Sequence, residues 1–166
     1  MYGTTGSIGS ASVQLLKYFG ATVTAVCNTQ NVELVKSLGA DYVIDYTKED
    51  FTKTDKTFDF VFDAVGKSSF GQCKPLLKQK GIYIYTELGK RAENVFFAIF
   101  TPIFGSKKVL FPIPTITQQD VDLLKKMAET GKFKPVVDRT YSLDKIVEAH
   151  KYVDTGHKIG NVVILI

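Results

Sequence analysis

Three glycines within seven residues, Gly3-Thr4-Thr5-Gly6-Ser7-Ile8-Gly9, stand directly before a helical pattern, and the apolar run Thr22 to Cys27 follows that helix. A glycine-rich turn that opens a helix and leads on to a strand marks a strand–helix–strand unit of ~30 residues. Strands joined through a helix pair in parallel and cross over right-handed. From Ser7 to Phe19, the side chains Ile8, Ala11, Leu15 and Phe19 recur at helical spacing and predict the buried face, with Ser10, Gln14 and Lys17 on the outer one. Gly20 supplies the stop.

The same alternation continues. Tyr42 to Asp45, Phe58 to Asp63 and Gly81 to Tyr85 read as strands apolar enough to be covered on both faces. Val32 to Leu38 and Ser68 to Leu77 read as the helices between them, Pro75 disturbing the end of the second. Together they predict an α/β, doubly wound parallel sheet. Beyond Gly89 the pattern loosens. Asn94 to Phe104 reads as an apolar helix, and Lys107 to Pro114 as a strand that Pro112 and Pro114 end or place at an edge. Thr117, with Asp120 three residues on, caps a helix whose inner face is Leu123, Leu124, Met127 and Ala128. A short strand near Val136 to Tyr141, a helix from Ser142 to Val153 and a strand from Asn161 to Ile166 complete the chain.

Composition narrows the partners. The 166 residues carry a net charge of +4, with lysines in scattered pairs such as Lys53 and Lys56 or Lys107 and Lys108, so a solvated surface is expected and no nucleic acid. The greasiest stretch, Val95 to Phe104, is too short to span a bilayer, and no membrane association is expected. Cys27 and Cys73 lack metal-ligand spacing and suit free thiols in a reducing compartment, with a cytoplasmic location expected.

The chemistry sits at the glycine turn. A pyrophosphate must come close to backbone N–H groups, glycine removes the side chain that would block it, and a helix N-terminus offers unpaired donors at its positive end. A tight turn with no ligand is the alternative. The spacing is G-x-x-G-x-x-G rather than G-x-G-x-x-G, and only Met1 and Tyr2 stand where a preceding strand is needed, so the first strand looks truncated. After the second strand come Cys27-Asn28-Thr29-Gln30-Asn31, without a carboxylate to take a ribose 2′-hydroxyl. These polar groups can donate to a 2′-phosphate, which leans toward NADP, with NAD or an ordinary polar loop left open.

Several segments now combine into a likeness. Gly20-Ala21-Thr22-Val23-Thr24-Ala25-Val26, Leu38-Gly39-Ala40-Asp41-Tyr42-Val43-Ile44-Asp45-Tyr46, Phe58 to Gly66, and the closing stretch from Gly131-Lys132-Phe133-Lys134-Pro135 to Gly160-Asn161-Val162-Val163-Ile164 follow the glycine turn. The chain closely resembles the medium-chain dehydrogenase/reductase superfamily (zinc-type alcohol dehydrogenase-like), in its zinc-independent quinone oxidoreductase branch. That resemblance implies a Rossmann sheet of strand order 3-2-1-4-5-6 in residues 1–115, and in residues 116–166 the C-terminal part of a catalytic domain whose N-terminal part is absent. It implies hydride transfer from NAD(P)H to a quinone, enone or small carbonyl compound, with this chain alone catalytically incomplete. A non-catalytic nucleotide-binding module is the rival expectation.

The resemblance also implies the site. Gly3, Thr5, Gly6, Ser7, Ile8 and Gly9 form the pyrophosphate turn, with backbone groups at Gly6, Ser7 and Ile8 as the holders. Asn28, Thr29, Gln30, Asn31 and Tyr46 surround the adenosine phosphate, Asn31 replacing a lysine of some relatives. Asp63, Ala64, Val65 and Gly66, with Thr86, Leu88 and Gly89, approach the nicotinamide. No catalytic residue and no metal ligand carries over. The strand near Lys107 to Pro114 is expected to pair with its copy in a homodimer. Tyr141-Ser142-Leu143-Asp144-Lys145 imitates the Tyr-x-x-x-Lys pair of short-chain dehydrogenases, but Ser142 reads as a cap that leaves Tyr141 outside the helix. His150 shares helical spacing with Leu143, Ile146 and Val147 and is expected to face the core, and His157 to be exposed.

Overall fold

The computed structural model describes residues 1–86, 97–101, 106–111 and 114–166. Helix α1 spans Ser7–Tyr18, and strand β1, Thr24–Cys27, is buried along its whole length. A 3-10 turn at Thr29–Asn31 leads into α2, Val32–Ser37, and then β2, Tyr42–Asp45. Strand β3 is Phe58–Asp63, α3 is Phe70–Cys73, β4 is Leu77–Tyr85 and β5 is Lys108–Leu110. Residues 97–101 are helical. The chain then forms α4, Gln118–Glu129, β6, Val137–Ser142, α5, Ile146–Asp154, and β7, Asn161–Leu165.

Among the described residues every strand pairing is parallel: β1 with β2, β3 with β4, β4 with β5 and β6 with β7. Tyr2 joins the first two groups into one sheet, bridging Val26 on one side and Asp63 on the other. Its N–H donates to the Phe62 carbonyl at 2.8 Å, and Val26 N–H donates to the Met1 carbonyl at 2.8 Å. The order across this sheet is therefore β2, β1, Tyr2, β3, β4, β5, a Rossmann-type arrangement with β6 and β7 as a separate parallel pair.

Hydrophobic burial fixes the sheet's faces. Val61, Phe70, Cys73, Leu76, Leu77, Tyr83, Tyr85 and Val109 form one core, with Phe97 and Ala98 packed on it. Ala25, Cys27 and Val35 form a second core under α2. Full burial of a side chain of the Val, Leu or Phe kind contributes about 1.5–3 kcal/mol. The two cysteines are free and buried.

Several expectations needed correction. Helix α1 buries Gly9, Ser10, Val13 and Gln14, while Ile8 is 52% exposed and Phe19 68% exposed, so the inner face is not the one the apolar spacing predicts. Polar side chains can occupy an interior face when hydrogen bonds satisfy them, and here they do: Ser10 Oγ donates to the Ser7 carbonyl at 3.2 Å, and Gln14 is held by Lys134. The expected helix from Ser68 to Leu77 lasts only through Cys73. Lys74–Leu76 tightens into a 3-10 turn around Pro75, and β4 starts at Leu77. That early start was hidden by a register shift opposite Phe58 and Phe60, with Lys80 left-handed at φ 63° beside it.

Helix α4 carries the expected capping box. Thr117 Oγ1 accepts from Asp120 N–H at 3.3 Å, and Asp120 Oδ2 accepts from Thr117 N–H at 2.9 Å. Its buried stripe is narrower than expected, reduced to Met127 with Leu123 half-buried, because Leu124 and Ala128 face outward. His150 is exposed rather than inward, and in α5 only Ala149 is buried. His157 is exposed as expected.

Candidate functional site

The glycine turn contains three glycines of different physical meaning. Gly3 has φ +78°, a left-handed conformation that disfavours a side chain. A Cβ on Gly9 would lie 2.0 Å from the Gly3 carbonyl oxygen, so a bare Cα there lets α1 rest on the turn. Gly6 is under neither constraint. Its φ of −75° and ψ of 175° suit any residue, and a Cβ there would meet nothing closer than the Gly3 oxygen at 4.0 Å. Neither the backbone angles nor the packing gives a reason for glycine at position 6.

Helix α1 begins at this point without a side-chain cap, and its first backbone bond runs from Ser10 N–H to the Gly6 carbonyl at 2.9 Å. The N–H groups of Ile8 and Gly9 precede that bond and have no carbonyl within the helix to reach, whereas the parallel bridge between Gly6 and Gly160 turns the Ser7 N–H toward the Gly160 carbonyl. The Ile8 and Gly9 groups form a donor set suited to an anion at the positive end of the helix. Thr5 and Ser7 are half-buried beside them and Ile8 is exposed, whereas Thr4 is fully buried and donates through Oγ1 to the Val26 carbonyl at 3.0 Å.

A segment far along the chain closes one side of the turn. Gly160 N–H donates to the Thr5 carbonyl at 2.7 Å, and the Gly160 carbonyl accepts from Ser7 Oγ at 2.7 Å. Lys158 Nζ donates to Ser7 Oγ at 2.9 Å and to the Gly160 carbonyl at 2.7 Å. Gly160 has φ +68°, and a Cβ there would strike the Val136 carbonyl oxygen at 2.3 Å. Gly160 opens the closing stretch that carries the family likeness, but nothing in the sequence places it or Lys158 at the turn. Their signal, one glycine before a closing strand, is too slight to point back to residues 3–9.

Beyond β1, the expected phosphate-binding loop is partly occupied with itself. Thr29 Oγ1 donates to Asp45 Oδ2 at 2.5 Å, and Asn31 Nδ2 donates to Asn28 Oδ1 at 2.6 Å. The hydroxyls of Thr29 and Thr47 hold the Asp45 carboxyl down to about 2. Thr29 and Gln30 are exposed, Asn28 half-buried and Asn31 buried. Tyr46, 47% exposed, stands edge-on to Tyr2 and helps line an open cleft of about 400 Å³ with Thr47, Lys48 and Glu49. An enclosed apolar void of about 20 Å³ between Tyr2, Val26 and Val61 includes no residue of the glycine turn.

At the end of β3, Asp63 is completely buried and organises its own loop. Oδ1 accepts from the N–H groups of Val65 and Gly66, both at 2.9 Å, and Oδ2 accepts from Ser68 N–H at 2.7 Å and Ser68 Oγ at 2.6 Å. The carboxylate therefore shapes the Ala64–Gly66 turn and has no acceptor face left for a ligand. Val65 presses on the glycine turn, its methyl 2.5 Å from where a Gly3 Cβ would stand. Thr86 Oγ1 lies 3.5 Å from the Asp63 carbonyl. Leu88 and Gly89 lie outside the described residues.

Tyr141 belongs to β6 and Lys145 to the 3-10 turn after it, so this pair does not share one helical face. Among the described residues, no three His, Cys, Asp or Glu side chains gather as a metal site, and no helix is long and apolar enough to cross a membrane.

Comparison with known proteins agrees with this architecture. The chain is 37% identical over 98% of its length to 2-methylene-furan-3-one reductase of Solanum lycopersicum, covering 38% of that protein. It is 34% identical over 96% of its length to the chloroplastic NADPH-dependent alkenal/one oxidoreductase of Arabidopsis thaliana, again covering 38%. The chain thus spans well under half of these relatives. The fold matches the quinone oxidoreductase structure from Coxiella burnetii with a TM-score of 0.86 at 24% identity, over 99% of this chain and 51% of that one. The family profile described as zinc-binding dehydrogenase matches residues 38–164, and the chain belongs to that family.

Proposed function

We propose that this chain is the cofactor-holding portion of an NADP(H)-dependent oxidoreductase acting on a quinone, enone or small carbonyl compound. Residues 1–115 act as the dinucleotide-binding domain, and residues 116–166 belong to the catalytic domain. The observation that carries the reading is Gly6, a glycine that neither backbone angle nor packing requires, placed at the uncapped N-terminus of α1. The bound nicotinamide would supply the hydride. The chain's own work is binding and orientation. N–H groups of Ile8 and Gly9 at the start of α1 take the diphosphate, the Asn28–Asn31 loop and Tyr46 take the adenosine end, and the turn shaped by Asp63, with Thr86, flanks the nicotinamide end.

The preference for NADP rests on the loop after β1. No carboxylate occurs in Asn28–Asn31, and Asp45 has its charge turned onto Thr29 and Thr47. A relative named as NADPH-dependent supports the same choice. Strand β5 has Leu110 48% exposed, which supports dimerisation through that edge. The two buried free thiols support a reducing compartment, with the cytoplasm as our assignment.

Fluorescence titration with NADPH and NADH, followed by steady-state NADPH oxidation with a simple quinone, tests the reading. Binding with NADPH preferred and negligible turnover is expected, because the chain covers only 38% of the tomato and Arabidopsis reductases. Absence of any dinucleotide binding would overturn the reading, and robust turnover by the purified chain would overturn its catalytic incompleteness.

A further inference from the structure

Three polar side chains are buried together beneath the turn that follows β3. Asp63 and Tyr83 are completely buried, and Ser68 is 9% exposed. Core positions around them, such as Val61, Leu77 and Val109, are apolar, the composition that burial ordinarily selects. A buried polar group is costly unless it is hydrogen-bonded, and each of the three is. Ser68 Oγ gives its one proton to Asp63 Oδ2 at 2.6 Å, so the Tyr83 hydroxyl, 3.1 Å away, donates to Ser68 Oγ. Burial holds the Tyr83 phenol far above its ordinary pKa, which keeps it a donor. The run from Tyr83 through Ser68 to Asp63 therefore has a single direction. Phe70 and Tyr85, with ring centroids 6.0 and 5.7 Å away, fix the Tyr83 ring.

The turn hangs on this run. The N–H groups of Val65 and Gly66 donate to Asp63 Oδ1, and that of Ser68 donates to Oδ2. In a trans peptide the carbonyl points opposite to the N–H, and none of the described peptides is cis. The carbonyls of Ala64, Val65 and Lys67 are thus turned away from Asp63. Where the carboxylate is held sets the direction of three peptide planes. The turn also reaches its neighbours: Ala64 N–H donates to the Tyr2 carbonyl at 3.1 Å, and Val65 presses on Gly3. It stands at the carboxyl end of β3, across Tyr2 from β1, where the strand order reverses and open α/β sheets bind ligands. An apolar pair at positions 68 and 83 could join β3 to β4, but it could not aim a carboxylate.

We infer that Ser68 and Tyr83 are positioning residues, whose paired hydroxyls aim the Asp63 carboxylate and through it set the peptide planes that face the nicotinamide end of the site. This rests on the dinucleotide reading above. Neither side chain touches the ligand, and the adenosine end is outside their reach.

The test compares wild type with Ser68→Ala and with Tyr83→Phe, which keeps the ring and its packing. The probes are NADPH and adenosine 2′,5′-bisphosphate, which has the adenosine end but no nicotinamide riboside. Ser68→Ala should weaken NADPH roughly tenfold, and Tyr83→Phe should weaken it by a smaller factor, in line with one lost neutral hydrogen bond. Bisphosphate affinity should stay unchanged in both. The fluorescence of bound NADPH, which reports the surroundings of its dihydronicotinamide, should move toward that of the free cofactor. If wild type binds NADPH and both variants match its affinity and bound emission, the inference is wrong while the functional reading stands. If the variants weaken the bisphosphate as much as NADPH, the pair is only structural and the inference is again wrong. If Ser68→Ala does not fold, Tyr83→Phe decides by the same two readouts. If wild type binds neither ligand, the functional reading falls and this inference with it.

Discussion

The side chain of Gln14 grips the backbone of Lys134 from both sides: Oε1 accepts from its N–H at 2.8 Å, and Nε2 donates to its carbonyl at 3.0 Å. The two residues are 120 positions apart. Gln14 is only 9% exposed, so the pair is a polar seam between α1 and the segment before β6. Replacing Gln14 by Leu keeps the bulk but strands both Lys134 groups. Unsatisfied buried groups of this kind cost about 1–3 kcal/mol each at most. Urea unfolding of Gln14→Leu should therefore show a loss of that order, and a variant as stable as wild type would show that water replaces the amide.

Gly6 and Gly9, three positions apart in the turn, should respond in opposite ways. Gly6→Val meets open space at ordinary backbone angles, so the fold should persist while NADPH affinity falls roughly tenfold or more, its methyl groups covering the anion surface. Gly9→Ala drives a Cβ to 2.0 Å from the Gly3 carbonyl and should destabilise the fold by about 1–3 kcal/mol. Paired melting curves and NADPH titrations separate the two. Equal NADPH affinity in wild type and Gly6→Val would remove the glycine turn from the site.

Asp45 gives the chain an acid-sensitive point. Its carboxyl ordinarily titrates at 3.8 and is lowered to about 2 by the Thr29 and Thr47 hydroxyls. A lowered folded value means the charged form favours the folded state, so this contribution is present above about 3.8 and disappears as pH falls through about 2. Urea midpoints taken between pH 5 and pH 2 should fall more steeply for wild type than for Asp45→Asn. Parallel slopes would show that the cluster is not retained in solution.

The edge strand β5 sets the expected assembly. Light scattering coupled to size exclusion should report a homodimer, with Leu110→Pro shifting it toward monomer. Circular dichroism on the same fractions distinguishes lost pairing from lost folding. A wild-type monomer at high concentration would show that another part of the chain covers this edge.

The strands were legible from their short apolar runs, although only β1 is buried along its whole length and Tyr42 of β2 and Phe60 of β3 are exposed rather than covered on both faces. Thr24–Cys27, Tyr42–Asp45 and Phe58–Asp63 fall inside or on the expected runs. The glycine turn was legible through its residue type. What spacing could not show was how polar groups find partners across the chain. Gln14 looks solvent-facing until the Lys134 backbone, 120 positions on, is brought to it, and nothing local announces that encounter. His150 was misplaced for the converse reason: Ile146 and Val147 beside it are themselves exposed, so helical spacing with apolar residues did not imply a core. Asp63 was expected near the nicotinamide. In the structure its carboxylate is consumed by Val65, Gly66 and Ser68, a role only the folded loop reveals.

Ser7 and Gly160, bonded to each other at 2.7 Å, are separated by 153 positions. A ribosome makes the chain from Ser7 toward Gly160, at ~5–20 residues per second. The first helix and its turn therefore leave the exit tunnel many seconds before the residues that close their flank. Until those residues emerge, the loop has Gly3, Gly6 and Gly9 but neither the ammonium of Lys158 nor the bridge from Thr5 to Gly160. The flank of the glycine turn is thus one of the last parts of the fold to be completed in each molecule.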